Sequence, residues 1–397
     1  EYGYILKWKI IPFMQKRGDN VYLEELQLKN FRNYDSLKIK LNPHVNIIYG
    51  NNAQGKTNLL EGIYVLGLTK SHLLSMDNSL IKVGKNFCEV KGVVKKKSFK
   101  TKYEVDYINE NKILKIDNKE IKKLTDYINN SLNIIIFYPE NLEIIKGSPS
   151  NRRNYLNLEL SQLSDNYLKI ITEYNKLLKI RNDYLKKLSK GIEIDNTYFQ
   201  IITNYLIDKA VILYKMRKKF IDKINENCGK IFYEITKLQN FNIKYISNFS
   251  ENDDIRKNLS EKLEKNHFRE IKLGTTLYGP HRDELEFYLD DKNLKNFGSQ
   301  GQKRMAVLAM KLAEIDIFKQ FKNENPILLL DDIFSELDNV KKYNIIKYIS
   351  SDIQVVITTT DLKKISKNSF KSMTIFKIKN GEVIKTEEVE KDERKSL

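Results

Sequence analysis

Cysteine is scarce in this chain of 397 residues. Cys88 and Cys228 stand far apart and outside any pattern, which excludes a disulfide framework and zinc-type spacing and makes the cytoplasm the expected compartment. The four histidines, His44, His72, His267 and His281, form no metal motif. No apolar run approaches the ~18–20 residues a membrane helix needs, so no membrane partner is expected. The segment Glu1 to Asn20 mixes apolar residues with Lys7, Lys9, Lys16 and Arg17. It has neither a clean apolar stretch nor a small-residue cleavage site, which makes it a poor secretory signal. Glycine and proline nearly vanish between about Asn151 and Ser247, which excludes a turn-rich sheet there and leaves room for long helices.

What is abundant is positive charge. The formal balance is +17, which points to a polyanionic partner, most simply nucleic acid. A competing explanation is a compositional bias that inflates lysine, because the chain is also crowded with Asn, Ile and Tyr. A hydrophobic content of 41% beside 30% charged residues fits a folded chain of two or three domains with a charged surface.

Along the chain, Val21 to Leu28 and Leu37 to Leu41 alternate with period two and read as strands. Residues 87–116 alternate again and predict a small antiparallel sheet with one wet face. Asn133 to Phe137 is a short buried strand ended by Tyr138-Pro139. From Leu160 to Leu178 the apolar residues form one helical stripe, and a second helical stretch runs from Thr197 to about Phe232. These predict two or three long antiparallel helices inserted into an α/β frame. The frame resumes near Leu273, with a helix from Gln300 to Phe318, strands at Ile327–Leu330 and Gln354–Ile357, and a helix from Val340 to Ile349 between those strands. The expected domains are 1–20 as a non-native extension, 21–150 and 271–390 as two parts of one head, 151–270 as the helical insertion, and 391–397 as a tail.

The most informative stretch is Gly50-Asn51-Asn52-Ala53-Gln54-Gly55-Lys56-Thr57. An apolar run, Val45 to Tyr49, precedes it and a helical pattern beginning at Asn58 follows, which is the context of a phosphate-binding loop. Loop amides and the helix N-terminus would cradle the phosphates of ATP. Lys56 would reach the β- and γ-phosphates, and Thr57 would hold Mg²⁺. The competing reading is a glycine turn capping an ordinary helix.

Downstream, Ile327-Leu328-Leu329-Leu330 runs into Asp331-Asp332. A buried parallel strand would deliver Asp331 to the Mg²⁺ shell, and Asp332 could orient or deprotonate an attacking water. Alone, such a run suits a strand-end turn equally well. Gly298-Ser299-Gln300-Gly301-Gln302 precedes a helix, and a serine there suits either a γ-phosphate or a plain N-cap.

The order of these segments resembles the ABC-type ATPase head, and within it the RecF family, relatives of SMC and Rad50. Leu28-Lys29-Asn30-Phe31-Arg32-Asn33-Tyr34, the loop Asn51 to Glu61 with its Asn58, Lys146 to Arg153, and Gly279-Pro280-His281-Arg282-Asp283 carry the likeness. The resemblance covers about Val21 to Glu388. It implies an α/β head with an inserted long-helix lobe, and ATP sandwiched between two heads of a homodimer. It further implies that Ser299, Gly301 and Gln302 touch the partner's γ-phosphate, that Asp338 of the D-loop lies at the seam, and that Glu140 stands where a Q-loop glutamine would. Arg32 is expected near the nucleotide, and Thr359 and Thr360 at the switch position that usually holds histidine.

DNA repair at single-strand gaps, with RecO and RecR helping to load recombinase, belongs to the same implication. Asp332 replaces the usual glutamate, so slow hydrolysis is expected. The signature reads Ser-Gln-Gly-Gln rather than Ser-Gly-Gly-Gln, as the resemblance to RecF leads one to expect. Val21 sits where an initiating Met would be. A transporter nucleotide-binding subunit and a non-hydrolysing nucleic-acid scaffold are the alternatives; the missing switch histidine, the insertion and the charge weigh against the first.

Overall fold

The computed structural model describes residues 21–390 apart from 74–76, 98, 109–110, 250–253, 335–336, 350–351, 363–369 and 371. The expected extension, the tail and the Ser335-Glu336 pair before the D-loop lie outside the described residues.

The chain opens with β1 (Val21–Phe31), β2 (Tyr34–Lys40), β3 (Val45–Tyr49) and helix α1 (Lys56–Leu68). Next come β4 (Phe87–Lys96), β5 (Phe99–Ile108), β6 (Asn111–Ile116), β7 (Lys119–Glu120), α2 (Leu124–Asn130), β8 (Ile134–Phe137) and the short α3 (Glu143–Lys146). The helical section is α4 (Pro149–Leu163), α5 (Asp165–Ser189) and α6 (Asn196–Thr236), followed by β9 (Phe241–Ile246), α7 (Ile255–Lys265) and α8 (His267–Leu273). The last part holds β10 (Glu284–Leu289), β11 (Lys292–Asn293), α9 (Leu294–Phe297), α10 (Gln300–Lys322), β12 (Ile327–Leu330), α11 (Asn339–Tyr348), β13 (Val355–Thr359), β14 (Ser372–Lys379) and β15 (Glu382–Glu390).

Two six-stranded sheets organise the head. One has the order β15-β14-β3-β13-β12-β8, parallel except at its β15 edge. Its central strands are apolar on both faces because helices cover both sides. The other is antiparallel, order β2-β1-β4-β5-β6-β7, with one face on α1 and one in water. It is larger than the sequence pattern predicts, because β1 and β2 join it instead of simply leading into the loop strand. Gly92 on β4 sits where an added Cβ would come within 2.3 Å of Leu66 on α1, which lets strand and helix approach closely.

The expected stripe from Leu160 to Leu178 is two helices, not one. Ser164 ends α4 and caps α5 by accepting the Tyr167 amide at 3.3 Å. Helix α6 has 41 residues, about 62 Å at the usual rise, longer than the ~45 Å span of a 30-residue helix. Residues Phe241 to Ile246 leave the helical section and pair with β10, so a three-stranded sheet crosses the boundary expected near 270. One continuous apolar core runs from α5 and α6 through α10 to β12 and β13. Among the described residues no helix is long and apolar enough to cross a membrane.

Buried ion pairs tie the long helices to the head. Lys311 on α10 reaches Glu159 on α4 at 2.6 Å and Glu314 at 3.2 Å, and Tyr155 donates to Glu314 at 2.6 Å. Arg217 on α6 donates to Asp283 and to the Pro280 carbonyl, both at 2.7 Å, and to Asn157 at 2.9 Å. His281 is hydrogen-bonded to the Tyr174 hydroxyl at 2.6 Å and to the Thr276 carbonyl at 3.0 Å. The Gly279–Asp283 string is therefore a joint between lobe and head, built of buried polar bonds.

Candidate nucleotide site

Strand β3 ends at Tyr49 and α1 begins at Lys56, with the glycine loop between them. Gly50 has no room for a side chain: a Cβ there would meet the Ile378 carbonyl oxygen at 2.4 Å. Gly55 takes φ 109°, which L side chains rarely adopt, and its carbonyl accepts from the Tyr34 hydroxyl at 2.9 Å. Asn51, Asn52 and Ala53 are exposed at the loop tip. Gln54 is clasped from two sides. Its carbonyl accepts from the Gly381 amide at 3.0 Å and from Asn33 at 3.2 Å, and its side chain accepts the Asn380 amide at 2.8 Å. Asn58 donates to Asn33 at 2.8 Å. Asn33, Asn380 and Gly381 thus hold the loop in shape. Sequence spacing gave no sign of these last contacts, because the β14–β15 turn meets the loop from more than 300 residues away.

Lys56 is 7% exposed, and its amine donates to the carbonyls of Gly50 at 2.9 Å and Asn51 at 2.7 Å. Burial lowers its pKa, while Asp332 and Asp331 act in the opposite sense. The next residue, Thr57, donates its hydroxyl toward both oxygens of Asp331 at 3.0–3.1 Å, across 274 residues of sequence. The parallel sheet makes this meeting possible. Strands β3 and β12 flank β13, so the loop and the end of β12 face each other at one edge of the sheet.

Asp331 is 5% exposed. Burial raises its pKa, the hydroxyls of Thr358 and Thr57 pull it back, and Asp332 and Glu140 raise it further. Buried Asp331 and half-buried Asp332 stand side by side with the exposed Glu140 within charge range, an arrangement that a divalent cation would neutralise. Thr57 and Asp331 fit such an ion, since Mg²⁺ takes few protein ligands and completes its shell with phosphates and water.

Asp332 has φ 46°, a left-handed turn that bends the chain directly after the strand. Its carbonyl accepts from Arg304 on α10 at 2.9 Å, and its amide donates to the Thr358 hydroxyl at 2.9 Å. That same hydroxyl donates to Asp331 at 2.5 Å. Thr358, completely buried, is therefore the side chain that joins the two aspartates. The sequence pattern directs attention to its neighbours. Thr359 is also buried, and its hydroxyl closes on the Asp361 backbone at 3.2 Å, while Thr360 is half-buried at the end of the strand. The geometric signal is strand register: β13 pairs with β12 through Leu330 and Ile357, which sets Thr358 beside Asp331.

The remaining expected residues lie further out. Arg32, expected near the nucleotide, forks onto Glu61 of α1 with two bonds of 2.6 Å and donates to the Ser79 carbonyl at 2.6 Å. Here it buttresses the loop helix. Glu140 is exposed on a short 3₁₀ turn over Pro139–Leu142, where its charge reaches Asp331. Ser299 caps α10 by accepting the Gln302 amide at 3.2 Å, and the Gln302 side chain accepts the Ser299 amide at 2.8 Å. Ser299 and Gly301 are exposed, and within one chain the serine is a helix cap. Asp338 caps α11 by accepting the Lys341 amide at 2.8 Å, and its side chain is ion-paired with Lys341.

The RecF/RecN/SMC N terminal domain family matches residues 22–384. A DNA replication and repair protein RecF from Latilactobacillus sakei subsp. sakei is 38% identical over 92% of this chain and 99% of its own length. One from Lactobacillus johnsonii is 40% identical over 91% of this chain and 99% of its own. A solved structure of the recombination mediator protein RecF with ATP, in the RecFOR pathway, superposes with a TM-score of 0.84 at 32% identity, over 95% of this chain and all of that one. The Smc head of Pyrococcus furiosus shares the fold, with a TM-score of 0.55 at 17% identity. With a glycine loop between strand and helix, an apolar strand delivering Asp331 beside it and near-complete coverage by these relatives, the chain belongs to the RecF family.

Proposed function

We propose that this protein is an ATP-gated DNA-binding switch of recombinational repair and replication maintenance, acting in the cytoplasm. The observation that carries the reading is the Thr57–Asp331 contact at 3.0–3.1 Å beside the buried Lys56 amine. It brings together, across 274 residues of sequence, the two side chains that would hold Mg²⁺ beside ATP.

In this reading the loop amides and Lys56 bind the β- and γ-phosphates, and Lys56 exchanges its two carbonyl partners for phosphate oxygens. Thr57 and Asp331 hold Mg²⁺, which supplies charge neutralisation at the phosphates. Ser299 and Gly301 are exposed in the single chain and Gln302 is half-buried, and the three would complete the site of a second copy. Asp338 would lie along the same seam. Asp332, kept in place by Thr358 and Arg304, orients the attacking water. Its side chain is one methylene shorter than glutamate, which suits slow turnover.

Closure of two heads would gate binding to duplex DNA at gaps, with RecO and RecR as partners in loading recombinase, and hydrolysis would release it. The names of the relatives support the pathway, and the charge of +17 supports the polyanion.

The test is ATP hydrolysis against protein concentration, with and without duplex DNA. A specific rate that rises with concentration and with DNA is expected. A rate indifferent to both would overturn the gated dimer. Ser299→Arg is expected to keep ATP binding and lose ATP-dependent dimerisation, and dimers in that variant would remove the cross-subunit role.

A further inference from the structure

Four lysines on the wet face of the antiparallel sheet have carboxylate partners, and Lys29 and Lys95 there lie over the rings of Phe87 and Tyr22. Lys38 pairs with Glu25, Lys91 with Glu89 and Glu104, Lys100 with Glu24, and Lys115 with Glu104 and Asp106. Such charges are largely cancelled at the distance of an approaching ligand. The outer face of α5 is different. Lys169, Lys176, Lys179, Lys186 and Lys187 are exposed there, and Lys190, directly after the last residue of the helix, is exposed as well. At 100° per residue they fall within one ~100° arc of the helix. The carboxylates on this arc are Asp165, 3.8 Å from Lys322, and Asp183, 3.7 Å from Lys186. Among the described residues, Lys169, Lys176, Lys179 and Lys190 show no ion pair.

The ridge continues onto α8. A Cβ on Gly274, which ends α8, would lie 2.9 Å from the Lys186 side chain, so the two helices touch at that point. Arg269 and Lys272 are exposed on α8 next to this contact.

We propose that the lysine ridge of α5, extended by α8, is the surface that receives the duplex DNA backbone. The proposal rests on the DNA-binding reading above and gives it a location. From Lys169 to Lys190 the helix rises about 31 Å, close to the ~34 Å repeat of B-form DNA. A straight ridge of that length runs past about 18 phosphates of a duplex. Between the lysines the arc carries Thr172 and Asp183 and no exposed aromatic ring. Tyr184, on the same helix, is half-buried against Tyr198 and Phe199, and on the α8 extension one ring, Phe268, is exposed. Single-strand binders use a series of aromatic platforms for base stacking, so the α5 arc, which presents none, fits a phosphate backbone rather than splayed bases.

The test uses the full chain with ATP and a 30-base-pair duplex of mixed sequence, followed by fluorescence anisotropy across a salt series. The α5 variant Lys169→Gln/Lys176→Gln/Lys179→Gln is compared with a sheet variant of equal charge change, Lys91→Gln/Lys100→Gln/Lys115→Gln. These side chains lie outside the nucleotide site, so ATP binding and DNA-free hydrolysis serve as controls for folding. The α5 variant is expected to bind at least about tenfold more weakly, with a log K versus log salt slope lower by about 3, while the sheet variant stays near the parent.

Parent-like binding by the α5 variant would overturn the ridge. Equal weakening of both variants would overturn it too, because the effect would then be one of net charge. A parent protein that fails to bind the duplex under any nucleotide condition would instead overturn the functional reading beneath it. Undiminished duplex binding together with lost single-strand binding would show that the ridge serves single strands, contrary to the proposal.

Discussion

The two six-stranded sheets are equal in strand number and opposite in how they use charge. The parallel sheet has apolar strands and places its ionisable groups at strand ends, where Lys56, Asp331 and Asp332 meet in a corner with little access to water. The antiparallel sheet distributes Lys and Glu over a wet face, where Lys38, Lys91, Lys100 and Lys115 are matched to carboxylates of other strands. Coulomb's law gives the first arrangement far more leverage, because the effective dielectric falls with burial. The difference teaches where in a lysine-rich chain to look for chemistry. Burial and convergence mark it, and abundance does not.

The sharpest way to break this comparison is at the loop lysine. Lys56→Ala should abolish ATP binding and ATP-dependent dimerisation, as read by isothermal titration and by sedimentation. Unchanged nucleotide affinity would remove the loop from the site. A second large effect belongs to the buried cluster on α10. Lys311→Met leaves Glu159 and Glu314 without their cation, and should cost about 3–5 kcal/mol in urea unfolding. Replacing all three with apolar or amide side chains should recover much of the loss, since a buried pair is harder to break than to replace.

The head was legible in the sequence to the extent that it is local. Val45 to Lys56 is strand, glycine turn and helix in twelve consecutive residues, and Ile327 to Asp332 is an apolar run with its carboxylates attached. The parts that stayed hidden depend on tertiary register. Asn33, Asn380 and Gly381 clasp Gln54 from two separate turns, and Thr358 meets Asp331 only because β13 pairs in parallel with β12. Phe241 to Ile246 alternates as a strand should, yet it follows a helix of 41 residues and its partner β10 lies about 40 residues on, so its pairing was not readable locally. Arg32 was placed near the nucleotide by likeness alone. Its fork onto Glu61 depends on how β1 and α1 pack.

Titration offers a third probe, intermediate in size. Burial pushes the rings of His72 and His281 down to about 4. Both are neutral in the fold near neutral pH, while the unfolded chain takes up their protons below about 6.5. The unfolded state therefore binds more protons between pH 6.5 and 4, and folding stability falls as pH drops through that window. Each ring accounts for up to about 3 kcal/mol at the acid end. Asp283 and Asp106, both raised to about 6, act in the opposite sense. The measurement is consequently a difference. His72→Phe keeps a ring between Tyr64 and Tyr138, and should flatten the parent's loss of stability from pH 6.5 to 4. An unchanged slope would show that His72 is protonated at its ordinary pKa.

Thr358→Val removes the hydroxyl shared by Asp331 and Asp332 with little change of volume. Turnover should fall about 10–100-fold with a smaller change in ATP affinity, as for other residues that orient a ligand-bearing carboxylate. Equal losses in both would place Thr358 in binding and leave the orientation of Asp332 to Arg304.

The smallest effect completes the contrast. Lys115 on β6 lies 2.6 Å from Glu104 and 2.9 Å from Asp106, and its pKa is raised by those two bonds. By distance alone it looks as well paired as Lys311. Its side chain, however, is 31% exposed against 2% for Lys311. Water and salt screen the sheet pairs, and ordering a long side chain offsets much of the attraction. Lys115→Ala should therefore cost less than about 1 kcal/mol, and most of that should disappear in 1 M salt. A cost near that of Lys311→Met would mean that the wet face is held as tightly as the interior. Distance between partners, and not burial, would then be the quantity that sorts structural charge from idle charge in this chain.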